Sequence, residues 1–396
     1  MDIKLHKPII RSIVTILTEV FDQGKYVDRS LEYVFKNNKQ LGARDRATIA
    51  ETVYDIVRYY RLYQYCTKEK NNYWELIACY FILKKYELPE FTEWQMVDET
   101  YVESKYQEAI KHRVLKESIP DWLDELGQQE LQSQWPEILT NLNQKANLII
   151  RTNTLKIDTP TLRKKLKEEN IPYAEIENQS DATLLLKKNI YQSSLFKDGF
   201  FEVQDGASQL VAPFLQVESG MRVIDACAGA GGKSLHIASL MKNKGYLISL
   251  DTEKWKLEEL RKRFRRNGIS IIEPRWIENN KVIKRLVNSC DRLLLDVPCS
   301  GLGVVKRNPD AKWKLTVEFI QQIKKTQQEI LQQYSKMLRS GGKMVYATCS
   351  ILPSENQNQI THFLNNNPDF KLEEDRIILP DSEAHDGFYM ARLVKQ

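Results

Sequence analysis

Two cysteines and an aspartate stand where short apolar runs end. Leu293-Leu-Leu-Asp296 leads into Val-Pro-Cys299-Ser-Gly, and Tyr346-Ala-Thr leads into Cys349-Ser-Ile-Leu-Pro. An acid emerging from an apolar strand is costly unless it is used or paired. A free cysteine is usually a small buried hydrophobe, but one set among Pro, Ser and Gly belongs to a loop. A helix is expected after Cys349, with Pro353 and Glu355 near its start, and helix N-termini or nearby cations make a thiolate available. Two thiols and an acid suit covalent catalysis on a cytosine ring. A thiolate adding to C6 turns the ring into an enamine, so that C5 can attack a methyl donor. The acid would hold N3 and offset charge, and a base or second thiol would serve when H5 leaves and the first thiol is expelled. Residue types alone leave open which cysteine attacks. A redox pair is the alternative, but neither cysteine is in a C-x-x-C and a nucleotide-type loop lies nearby.

That loop is Asp225-Ala-Cys227-Ala228-Gly229-Ala230-Gly231-Gly232-Lys233, between a strand and a helix. Its glycines allow a tight turn and close approach to a ligand, and the helix behind offers free N–H groups. The spacing is neither a full G-x-G-x-x-G nor a P-loop. The next strand ends in Asp251, placed to accept both hydroxyls of a ribose; the plain alternative is a helix N-cap.

These residues need elements to carry them. From Met221 onward strand-like runs alternate with helical patterns. The strands are Arg222–Asp225, Tyr246–Leu250, Ile271–Trp276, Arg292–Asp296 and Lys343–Thr348, with helices at 233–242, 254–266 and 317–337. This predicts an α/β fold, a mostly parallel sheet with helices on both faces, binding ligands outside the carboxyl ends of the strands. Before it, short strands at 147–152, 173–176, 182–186 and 200–203 around a helix at 159–170 predict a small α+β module. The first stretch is helical, with Ile9, Ile10, Ile13, Val14, Leu17 and Val20 at helical spacing. The expected domains are 1–142 helical, 143–210 α+β and 211–396 the sheet.

Composition excludes several classes. No run of 18 uninterrupted apolar residues occurs, so no membrane span is expected. The six cysteines and five histidines show no metal-ligand spacing, so neither a metal nor a disulfide framework is expected. Free thiols suit a reducing cytoplasm. The net charge of +5 is mild, and its excess lies in the C-terminal half, which fits a nucleic-acid partner.

The segments DACAGAGGKS, LLLDVPCSGLGVVKRNPDAKW and YATCSILPSENQ resemble the cofactor loop, proline-cysteine motif and threonine-cysteine-serine motif of the RsmB/NOP/Sun family of RNA cytosine-5 methyltransferases. Arg151-Thr-Asn153, Phe201–Gln209 and His385–Arg392 resemble further family segments. The likeness covers about residues 140–396. It implies a Rossmann-like class I methyltransferase sheet preceded by an RRM-like module. It implies that Cys349 attacks C6, that Cys299 aids release and that Asp296 contacts cytosine and cofactor, with Lys233 near the reacting base. Cys227 to Lys233 would wrap the methionine part of S-adenosylmethionine, Asp251 would bind its ribose and Glu278 would approach its adenine. The family usually has Pro where this chain has Ala230. Leu41-Gly-Ala-Arg-Asp-Arg-Ala-Thr and Val53-Tyr-Asp-Ile-Val-Arg-Tyr59 resemble a NusB-like RNA-binding domain, with Arg44, Arg46, Arg58 and Arg61 as a basic patch. The implied partner is RNA, ribosomal and of the small subunit, met by a monomer; tRNA or another RNA is the alternative. An amino-group methyltransferase would carry D/N-P-P-Y/F instead of Asp-Val-Pro-Cys. A DNA cytosine methyltransferase would attack with the proline-cysteine thiol, and a non-catalytic RNA-binding relative would be expected to lose a cysteine.

Overall fold

The computed structural model describes residues 5–177, 179, 181–186 and 190–396. They fall into two compact units, one of Met1–Asn143 with Arg307–Leu315 and one of Gln144–Lys306 with Thr316–Gln396. The chain therefore divides after Asn143, the α+β module falls within the sheet-bearing unit, and residues 307–315 group with the helices.

The helical unit is built from α1 (Lys7–Phe21), α2 (Val27–Asn37), α3 (Ala43–Arg58), α4 (Tyr60–Tyr65), α5 (Tyr73–Leu83), α6 (Glu99–Ala109), α7 (Asp121–Leu131) and α8 (Trp135–Leu142). The apolar stripe of α1 packs as its spacing requires, with Ile9, Ile10, Ile13, Ile16, Leu17 and Val20 buried. Helix α5 is buried along Glu75–Ile82, as a helix apolar on all sides must be, and the Asn72 side chain caps it by accepting the Trp74 and Glu75 N–H groups. The expected basic patch is partly internal. Arg58 is buried, and Arg61 donates to the Ile119 carbonyl and to Asp121.

Residues 307–315 complete this unit. Lys312 is 2% exposed, and its amino group donates to the Arg58 carbonyl at 2.8 Å and to Asn143 Oδ1 at 3.0 Å. The Trp313 indole donates to the Val57 carbonyl at 2.7 Å, and Asp310 accepts the Val27 N–H. What reads in sequence as a basic, aromatic loop is in large part interior. Burial pulls the Lys312 pKa well down.

The second unit begins with an antiparallel sheet of order β2-β3-β1-β4, formed by β1 (Leu148–Thr152), β2 (Tyr173–Glu175), β3 (Ala182–Leu185) and β4 (Phe201–Val203), with α9 (Thr159–Glu168) between the first two in sequence. After α10 (Gly206–Phe214) come β5 (Arg222–Asp225), α11 (Gly232–Leu240), β6 (Tyr246–Asp251), α12 (Lys254–Asn267), β7 (Ile272–Trp276), β8 (Cys290–Asp296), α13 (Val317–Tyr334), β9 (Leu338–Thr348), α14 (Gln357–Asn366), β10 (Phe370–Ile378) and β11 (Phe388–Lys395). The large sheet has the order β10-β11-β9-β8-β5-β6-β7. Strands β5 to β9 pair in parallel, and β10 and β11 close one side antiparallel. This is the Rossmann-like sheet that the resemblance implies. Successive residues feed opposite cores: Ile224, Leu293, Leu295, Met344 and Tyr346 on one face, Val223, Leu294 and Val345 on the other. A parallel sheet is stable because both faces are covered in this way. Among the described residues no helix is long and apolar enough to cross a membrane.

Trp313→Ala removes a ring packed on the helical core. It is expected to destabilise the helical unit by about 2–4 kcal/mol, seen as a lowered urea midpoint in far-ultraviolet circular dichroism. An unchanged midpoint would show that the segment only rests on the helices.

Candidate functional site

The parallel strands end at one edge, and each contributes to it. At the end of β5, Asp225 is buried and accepts the Ser234 hydroxyl at 2.6 Å. The loop then turns through two left-handed glycines, Gly229 at φ +55° and Gly231 at φ +88°. A Cβ on Gly231 would stand 2.1 Å from the Leu260 side chain, so conformation and packing both demand glycine there. The loop is held from behind. Arg151, fully buried, donates to the Gly232 carbonyl at 3.0 Å. Arg263 donates to the Ala230 carbonyl at 2.9 Å and pairs with buried Glu202. Asn153 bridges the Gly199 and Asn267 carbonyls. The R-x-N signature is thus a clamp that ties the small sheet to the loop and to the end of α12.

In front of the loop lies a cleft of about 470 Å³ lined by Ala226, Cys227, Gly229, Asp251, Asp296 and Pro298. One oxygen of Asp251 accepts the Gly229 N–H at 2.8 Å and the other accepts the Glu253 N–H. Its carboxylate therefore braces the loop and faces the cleft at once. Burial and the carboxylates of Asp225, Asp296 and Asp251 push the Cys227 thiol well up, which favours its neutral form at the cleft. The volume, the left-handed glycines and the acid at the end of β6 fit a nucleoside joined to an amino-acid tail.

Asp296 and Lys233 form an ion pair of 2.7 Å. Burial alone would lower the lysine pKa, but the charge and hydrogen bond of Asp296 raise it, so the ammonium is held charged. It lies 4.8 Å from the centre of the Phe388 ring.

Cys299 and Cys349 lie with their sulfurs 3.3 Å apart. The Cys299 thiol is pushed well up by its hydrogen bond to Cys349, by burial and by the nearby charges. Either sulfur can donate to the other across this contact. The two loops also share backbone. The Gly303 N–H donates to the Cys349 carbonyl at 2.9 Å, and the Gly387 N–H donates to the Gly303 carbonyl at 2.8 Å. A Cβ on Gly303 would stand 2.1 Å from the Gly387 carbonyl oxygen, so glycine is required for this close approach. Cys290 is a different case. It is buried at the start of β8 with its sulfur 3.3 Å from the Met337 carbonyl, at the far end of the strand from Asp296.

The structure thus brings together Cys227 to Lys233, Asp251, Asp296, Cys299 and Cys349. It leaves Glu278 exposed and off the cleft wall, which Ile277 and Asn280 form instead. Sequence reading missed Thr326, Glu329, Ile330, Gln333 and Tyr334 of α13, which line the opposite side. Their spacing repeats at three and four residues, the signal of one helix face, but their mixed chemistry hides it. Among the described residues no group of three acids, histidines or cysteines could hold a metal.

Residues 212–394 match a family model described as 16S rRNA methyltransferase RsmB/F, and residues 119–191 match that of an RsmF/B-like methyltransferase ferredoxin-like domain. The probable ribosomal RNA small subunit methyltransferase B of Synechocystis sp. is 33% identical over 299 residues, covering 70% of this chain and 67% of that protein. The ribosomal RNA small subunit methyltransferase B of Vibrio cholerae is 33% identical over 307 residues, covering 73% and 68%. Among solved structures, PH0851 superposes over 100% of both chains with a TM-score of 0.83 at 24% identity. NSun6 from Pyrococcus horikoshii, solved with SFG, covers 70% of this chain and 98% of its own with a TM-score of 0.64 at 21% identity. These two likenesses show the fold.

Burial lifts the Asp225 carboxyl from 3.8 to about 7, against the Ser234 hydrogen bond that favours the charged form. Between those values the folded chain keeps a proton that the unfolded chain has lost, so stability falls as pH rises through the window. Asp225→Asn removes that loss. The melting temperature of the variant, relative to the parent, is expected to be higher at pH 8 than at pH 5. An equal difference at both values would show that Asp225 ionises in the fold as it does in the open chain.

Proposed function

The chain belongs to the RsmB/F family of S-adenosylmethionine-dependent RNA methyltransferases, and on that premise we propose that it forms 5-methylcytosine in 16S ribosomal RNA through a covalent bond between Cys349 and C6. The observation that carries this reading is the pair of sulfurs 3.3 Å apart, at strand ends beside the cleft that Asp296 lines. A cytosine seated there meets a nucleophile, an acid and a second thiol together.

S-adenosylmethionine, when bound, supplies an electrophilic methyl group. Cys227 to Gly232 and Asp251 would hold it, with Ile277 and Asn280 on the cleft wall beside Asp251. Cys349 adds to C6, forming a carbon–sulfur bond and making C5 nucleophilic. Asp296, beside Lys233, relays the Cys349 thiol proton to N3 as the carbon–sulfur bond forms, so the adduct is neutral and its C5 is nucleophilic, and the N3 proton returns when that bond breaks. After methylation H5 leaves to a base and the carbon–sulfur bond breaks. Cys299 hydrogen-bonds to the departing sulfur of Cys349 and so eases its expulsion. The division of labour between the two thiols rests on the family resemblance of the Thr-Cys-Ser and Pro-Cys segments.

The names of the relatives from Synechocystis and Vibrio support ribosomal RNA of the small subunit as the substrate. We read the helical unit as a NusB-like RNA-binding region, with Arg44 exposed and available to phosphate. We read the chain as a monomer, and its reduced thiols suit the cytoplasm.

Cys349→Ala is expected to abolish methyl transfer while cofactor binding, followed by calorimetry, stays intact. Cys299→Ala is expected to accumulate a covalent RNA adduct, seen as a slowed band on a denaturing gel. Full activity of Cys349→Ala, with no adduct from Cys299→Ala, would reverse the roles. Bisulfite sequencing of ribosomal RNA from a deletion strain is expected to show one cytosine losing its methyl group, and no change at any cytosine would sink the reading.

A further inference from the structure

Glu355 is fully buried, just after the Cys349 loop, and the chemistry described above makes no use of it. Its two carboxyl oxygens accept four hydrogen bonds. Oε1 takes the hydroxyls of Ser300 and Ser350, the latter at 2.6 Å. Oε2 takes the Ser300 N–H at 2.8 Å and the Gln327 side-chain amide at 3.0 Å. Ser300 directly follows Cys299 and Ser350 directly follows Cys349, and their hydroxyls lie 3.2 Å apart. The same Gln327 amide donates to the Pro298 carbonyl at 3.0 Å. The peptide groups on both sides of Cys299 are therefore anchored to one side-chain network. Beside it, Asn356 accepts the Thr348 hydroxyl at 2.6 Å and donates to the Ser350 carbonyl at 3.0 Å, anchoring both sides of Cys349.

We infer that Glu355 is the positioning residue of the two-cysteine centre, setting the spacing and orientation of Cys299 against Cys349 through the serine that follows each. Burying a carboxyl group is costly unless its oxygens are satisfied, and a group that collects four donors from three separate segments fixes all three at once. The arrangement touches neither sulfur and lies behind the reacting edge, so it acts through the backbone. After the contact with Cys349 and burial, the negative charge of Glu355 also raises the Cys299 thiol. The inference rests on the catalytic roles proposed above for the two cysteines.

Glu355→Gln keeps the shape but places an amide against donors that need an acceptor. With folded protein and cytosine-containing small-subunit RNA, kcat is expected to fall about 10- to 100-fold, the cost of a misplaced reacting group. KM for RNA and for S-adenosylmethionine should stay within about twofold, because the cleft itself is untouched. A structural role alone would not change a second readout, the rate at which diamide cross-links Cys299 to Cys349. That rate is expected to drop in Glu355→Gln, and Glu355→Asp should recover part of both losses. If Glu355→Gln fails to fold, the double variant Ser300→Ala and Ser350→Ala takes its place, with the same two losses expected. A kcat and a cross-linking rate within twofold of the parent, in a folded variant, would overturn the inference. The Cys299→Ala variant tells the two failures apart. If it accumulates no Cys349 adduct on RNA, the catalytic reading falls, whereas a normal adduct there with an unimpaired Glu355→Gln defeats the positioning role alone.

Discussion

Strands β8 and β9 pair in parallel with Asp296 opposite Ala347, and the Val297 N–H closes the ladder on the Ala347 carbonyl at 3.0 Å. A slip of one residue in such a pair turns every side chain to the other face. The register is secured by the cores on either side, where Leu293, Leu295, Met344 and Tyr346 point one way and Leu294 and Val345 the other. Because the ladder stops at the same level on both strands, the Pro-Cys and Thr-Cys turns start side by side. Everything chemical about the edge follows: the sulfur contact, the shared backbone bonds through Gly303, and the nearness of Asp296 to the loop that begins at Cys227. The site is in this sense an outcome of strand pairing, and its loops need only short, stiff turns to finish it.

The parts of this site that were legible in the sequence are those whose signal is local. Gly229, Gly231 and Gly232 announce a turn by composition, and Pro298 and Cys299 interrupt an apolar run in a way that marks a strand end. The helical stripe of α1 is equally local, since its period is written in consecutive residues. The wall of the cleft formed by α13 was not legible, because Thr326, Glu329, Ile330, Gln333 and Tyr334 share only a helix face, and which face meets the cleft is decided by packing. Glu278 was assigned from the family resemblance; in the fold it is exposed, and Ile277 and Asn280 line the cleft. Glu355 was seen as a residue near a helix start. Its four donors come from segments up to 55 residues away, and no spacing rule connects them.

Electrostatics divides the cysteines of this chain by environment more than by motif. Cys227 and Cys299 both have raised thiols, but carboxylates surround the first and a second sulfur touches the other. Cys290 is raised to about 12 by burial at the closed end of its strand. One residue type therefore lines the cleft, meets a second sulfur at a strand end and fills the core. Only the strand-end position, with its free edge, turns a thiol toward chemistry.

The segment 307–315 carries a different kind of message. Lys312 meets Asn143 across 169 residues of sequence, so the chain crosses between its two units three times and not once. A helical unit assembled from two distant stretches is not a detachable bead. Any exchange of this region between relatives, by recombination or by design, would have to carry both stretches together. The gene thus writes one of its modules in two non-adjacent passages, and the second of them begins within ten residues of Cys299.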